Sequence, residues 1–193
     1  MKYIRNKKIL TIIFSAIILA CIAAAGVTFA VLSMKTAGTT NTFKKGVVNI
    51  SVDESRNEDY TEKKSIKVKN NGNTGVYVRV KLVSYWAGDD GEGNYYAIGK
   101  ESEPIDQSCL NLTDWYYDSV NDTYYCKKPV GNSASSPDLI KSGKTLKLAI
   151  DEFGNRQVIE VLAQAVQASP SDAVEDVWNV TLDDSGAITG IKG

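Results

Sequence analysis

Residues 76–86 read VYVRVKLVSYW. Val76, Val78, Val80, Leu82 and Trp86 fall on one side of a period of two, and Tyr77, Arg79, Lys81 and Tyr85 on the other. Such alternation marks a strand with one buried face, because successive side chains point to opposite faces of a sheet. Just upstream, residues 64–70 (KSIKVKN) repeat the pattern with Ile66 and Val68 against Lys67 and Lys69. The NNGNTG between them is rich in residues that tolerate positive φ, so the chain is expected to reverse there.

Further strands are expected outward from this pair. Residues 43–54 (FKKGVVNISVDE) place Val48, Ile50 and Val52 inward. Residues 145–150 (TLKLAI) place Leu146, Leu148 and Ile150 inward. Residues 157–167 (QVIEVLAQAVQ) fit both a helix and a strand carrying Ile159, Val161, Ala163 and Ala165 on one face. Their β-branched content leans to strand. Residues 169–178 (SPSDAVEDVW) predict a short helix, with Ser169 as its cap and Pro170 in its first position. Short strands with turn signals between them predict a mainly β domain, an antiparallel β-sandwich of the jelly-roll or Ig-like kind.

The N-terminus is of another character. Lys2, Arg5, Lys7 and Lys8 carry the only charges of the first 33 residues. Ile9 to Leu32 is a 24-residue apolar run. As a helix rising about 1.5 Å per residue it spans a membrane core of about 30 Å. A basic start before such a run marks export, with the N-terminus kept in the cytoplasm. Small residues at Thr28 and Ala30 offer a cleavage site between Ala30 and Val31, and Ala23–Ala25 offer another. Cut, residues 1–30 are a signal peptide; uncut, they are a membrane anchor. Cys21 adds a weaker lipoprotein reading, countered by the apolar residues that follow it. Residues 31–193 form one exported domain in either case. The four basic residues at the start leave 18 cations against 23 acids in the rest of the chain, a charge of −5. That balance argues against nucleic acid as a partner.

Residues 24–54, AAGVTFAVLSMKTAGTTNTFKKGVVNISVDE, carry a resemblance. Gly26, Thr28, Phe29, Ala30, Phe43, Gly46, Val48, Ile50 and Glu54 resemble the start of bacterial exported proteins with a SipW-dependent-type signal peptide, the TasA and camelysin group. VKNNGNTGVYVRVKLVSYW, YYCKKPV and VLAQAVQA look like pieces of the same broad group. The resemblance implies secretion, processing by a dedicated signal peptidase, a jelly-roll-like sandwich and a place in a biofilm matrix or on the cell surface. It also implies self-assembly in which an N-terminal strand, here about residues 31–43, completes the sheet of a neighbouring copy. An open sheet edge with unpaired backbone groups accepts such a strand.

Camelysin is classed with metallopeptidases, but this chain has no histidine. That excludes an HExxH zinc site and any Ser-His-Asp or Cys-His arrangement. Glu101 and Glu103 read as solvated loop acids, and GDDGEGN (88–94) lacks the EF-hand spacing. No catalytic residue, metal or cofactor is expected, and the protein is read as a non-enzyme. Cys109 and Cys126, an even pair in an exported domain, are expected to form a disulfide, with two buried thiols as the alternative. The aromatics from Tyr85 to Tyr125 are expected to divide between core and cross-strand pairs. A monomeric binding module, anchored or secreted, that uses its aromatic loops is the second functional reading.

Overall fold

The computed structural model describes residues 46–90, 92 and 94–192. The apolar run Ile9–Leu32, the cleavage point Ala30/Val31 and the donor segment 31–43 lie outside these residues. No helix among the described residues is long and apolar enough to cross a membrane.

The alternating stretches become antiparallel strands. β1 (Ile50–Arg56) pairs with β2 (Glu62–Asn70), and β2 pairs at its other edge with the short β7 (Leu146–Lys147). β3 (Val76–Asp89) is the centre of a second sheet. Along one edge it pairs with β8 (Arg156–Gln167), from Val76 opposite Gln167 to Ala87 opposite Arg156. Its other edge is shared by β6 (Thr123–Cys126) near Val80 and β4 (Tyr95–Ile98) near Trp86. β5 (Trp115–Asp118) lies outside β6. Residues 156–167, ambiguous by period alone, are therefore strand. Their inward residues pack on an apolar face that a helix would meet only once per turn.

The NNGNTG segment reverses the chain but does not make a hairpin. β2 and β3 belong to different sheets, so the segment is a corner between them. Asn70, fully buried, holds it together. Its Nδ2 donates to the carbonyls of Thr74, Val130 and Gly131 at 2.7–3.1 Å, and its Oδ1 accepts from Gly72 N at 2.9 Å. A Cβ at Gly72 would lie 2.1 Å from the Val47 carbonyl oxygen, so only glycine fits there.

Two cores flank β3. The first joins both sheets: Ile66 and Val68 of β2 and Leu146 of β7 meet Val76, Val78, Val80 and Leu82 of β3, with Trp115, Tyr124 and Ile159. Fully burying one such aliphatic side chain contributes about 1.5–3 kcal/mol. The second core lies on the opposite face of β3. There α1 (Asp172–Trp178) and the hairpin of β9 (Val180–Leu182) and β10 (Ile188–Ile191) cover Tyr77 and Tyr125 with Val174, Trp178, Val180 and Ile188. The face of Tyr77, polar by sequence, is thus buried at one end.

Three local expectations are corrected. Val48 and Ile150 are exposed. β7 ends after two residues, and the chain turns at Asp151, whose carboxylate accepts from Phe153 N and Asn155 N. The helix begins at Asp172, and its cap position is Ser171 rather than Ser169.

Candidate functional site

β1 and β8 are the outer strands of their sheets and lie against one another. The Gln157 N–H points away from β3 and donates to Ala149 O at 2.8 Å. Backbone groups alternate in direction along an antiparallel strand. Those of Ile159, Val161, Ala163 and Ala165 therefore also point away from β3, and none has a backbone partner among the described residues. On β1, Asn49 O accepts from Asn71 N, which turns the backbone groups of Ile50, Val52 and Glu54 outward. Val161, Ala163, Ala165, Ile50 and Val52 are only half-buried, whereas Val76, Val78 and Val80 of the neighbouring β3 are fully buried. Among the described residues the two edges form a seam that no strand fills. Its near end is marked by Gly46, on which a Cβ would lie 2.7 Å from Gln167 Oε1.

At the other end of the seam lies a cleft of about 750 Å³. Paired positions in a sheet share a face. Ala87, Arg156 and Ala97 are in register, as are Tyr85 with Val158 and Val83 with Glu160. The two alanines leave a low floor between taller neighbours, and Arg56, Tyr60 and Lys63 close one side. Gln157 fixes this end of β8. It is buried, its Nε2 donates to Ser84 Oγ and Glu103 O, and its Oε1 accepts from Ala149 N.

The charges of the cleft are unevenly satisfied. Lys63 is buried and paired with Glu54. Tyr85 donates its hydroxyl to Glu160 Oε1 at 2.9 Å, and that bond, with some desolvation, raises its pKa. Arg56 lies 4.5 Å over the Tyr60 ring and Arg156 4.6 Å over the Tyr95 ring. Neither guanidinium has a hydrogen bond or an ion pair among the described residues, and Arg156 Nε is buried without a partner. By contrast Arg79, in a smaller hollow of about 460 Å³ on the outer face, gives both Nε and Nη2 to Gln164 Oε1 and stacks on Trp178.

The expected Cys109–Cys126 bond is not formed: both are free, buried thiols. Cys109 ends a 3-10 turn (Gln107–Cys109) ahead of β5, and Trp115 occupies the place opposite Cys126. Cys109 Sγ donates to Asp106 Oδ2 at 3.2 Å and Cys126 Sγ to Lys128 O at 3.3 Å. Burial, then the Asp106 carboxylate, raises the Cys109 thiol; burial pushes Cys126 up to about 11. The aromatics divide largely as expected. Trp115 and Tyr124 enter the first core, Tyr117 stacks on Tyr124 at 4.7 Å, and Tyr116 meets Tyr125 at 6.5 Å. Tyr95 and Tyr96 remain about half exposed. Glu101 and Glu103 are exposed, and the Asp90 carboxylate is taken up by Glu92 N, Asn94 N and Asn94 Nδ2. Sequence reasoning missed Arg56, Tyr60 and Arg156, which carry no motif and lie up to a hundred positions apart.

Compared with known protein families, curated proteins and solved structures, the chain matches none.

Proposed function

We propose that this is an exported, non-catalytic protein of the cell surface or extracellular matrix, a fibre-type subunit that assembles by strand donation. The β-domain is a sandwich of the jelly-roll or Ig-like kind, a reading supported by antiparallel sheets that share one core. The N-terminal segment directs export past a signal peptidase, and the domain is secreted or held at the membrane by that segment. Residues 31–43 are the donor strand, and the seam between β1 and β8 is the acceptor. The open seam carries this reading. It offers unpaired donors and acceptors on both sides and half-buried apolar side chains between them, the two things an incoming strand satisfies at once.

The test is assembly. Protein beginning at Val31 gains mass on incubation, and protein lacking residues 31–42 stays monomeric by light scattering. Equal assembly of the shortened chain contradicts the reading.

A further inference from the structure

We propose that the cleft at the Arg56 end of the seam is a binding site for a carboxylate-bearing sugar, such as a short run of uronic acid residues. This site adjoins the acceptor seam, with Ile159 bordering both, and its ligand binding is tested apart from assembly.

Two of the three arginines among the described residues line this cleft, each stacked on a tyrosine and neither ion-paired with another described residue. The described ion pairs all use lysine: Lys63 with Glu54, Lys100 with Asp151 and Lys192 with Glu175. In a chain whose body carries −5, acids are plentiful, yet among the described residues none forms an ion pair with either guanidinium. A guanidinium presents a planar fork of donors that matches a carboxylate, and stacking on a tyrosine holds that fork in place without using its donors. Arg156 also has a buried Nε with no hydrogen-bond partner among the described residues.

The rest of the lining selects the class of anion. Tyr60 and Tyr95 are each 49% exposed, with ring surface free to lie against the C–H face of a pyranose. Ala87 and Ala97 leave room above the sheet for a flat ring, and Glu160 offers an acceptor for sugar hydroxyls beside its bond to Tyr85. The volume lies inside the range of about 300–1,000 Å³ typical of small-molecule sites.

Titration calorimetry of the full-length chain in detergent, with trigalacturonate as probe, tests this. Saturable binding is expected, at least tenfold tighter than for neutral maltotriose or for triglutamate. Arg56→Gln, Arg156→Gln and Tyr95→Ala are each expected to weaken it tenfold or more, while Arg79→Gln, in the other hollow, leaves it unchanged. Each variant is checked for native circular dichroism, and Arg156→Lys, which keeps the charge and loses the fork, is expected to lose several-fold. Absence of saturable binding, equal affinity for maltotriose or triglutamate, or an equal loss in Arg79→Gln would overturn the proposal.

Discussion

Gly46 stands against Gln167: a Cβ on the first would lie 2.7 Å from the side-chain oxygen of the second. The chain therefore enters the β-domain beside the last residue of β8, at the mouth of the seam. That contact is with the far end of a flexible side chain, which can swing aside. The contact at Gly72 is different, because its obstacle is the Val47 backbone carbonyl at 2.1 Å. Gly46→Ala is expected to cost under about 1 kcal/mol, and Gly72→Ala about 1–3 kcal/mol or more, by urea unfolding. Equal costs would show that the corner has room.

Asn70 ties three carbonyls to one side chain at the corner between sheets. Asn70→Ala leaves those acceptors unsatisfied in a buried place, with an expected loss of about 3 kcal/mol. A loss below about 1 kcal/mol in chemical denaturation would mean that water replaces the amide.

These positions show what the sequence could and could not reveal. The period-two runs of β2, β3 and β8 were legible because alternation is local. The sheet to which each strand belongs was not, since Asn70 and Gly72 read alike in a hairpin and in a corner. Tyr77 read as solvent-facing because β3 alone does not reveal that α1 and the β9–β10 hairpin cover that face. Ile150 read as inward because the early turn at Asp151 interrupts an otherwise regular alternation. The two arginines of the cleft were invisible for the same reason: register and sheet packing, not spacing, bring Arg56 and Arg156 to one place.

Cys126 gives a pH signature. Its thiol pKa is about 11 in the folded protein against a usual 9.0, because burial disfavours the thiolate. The folded state holds this proton more tightly than the unfolded chain, so the contribution is full below pH 9 and is lost as pH rises to 11. A shift of this size corresponds to about 2–3 kcal/mol. Stability should therefore fall more steeply between pH 9 and 11 in the wild type than in Cys126→Ala. Parallel curves would contradict the burial argument. At pH 8 both native thiols should resist a disulfide reagent and react once unfolded.

Asp151 acts at the other end of the scale. The Asn155 amide, the Lys100 ammonium and two backbone N–H groups hold its carboxyl at about 2. Its contribution is present above the usual carboxylate pKa and is lost as pH falls toward 2. Asp151→Asn should flatten the melting-temperature curve between pH 4 and pH 2. It should also loosen the turn that delivers Arg156 to the cleft, read as faster amide exchange at Asn155 and Arg156.

The seam is tested most directly by placing a proline on it. The Ala163 N–H faces the seam and not β3, so Ala163→Pro removes a donor needed only by an incoming strand. The measurement is the light-scattering mass of protein beginning at Val31, wild type against Ala163→Pro, with unfolding curves to confirm that both are folded. Strand donation predicts growing polymers for the wild type and a folded monomer for the variant; polymers of equal size and rate from both would contradict it.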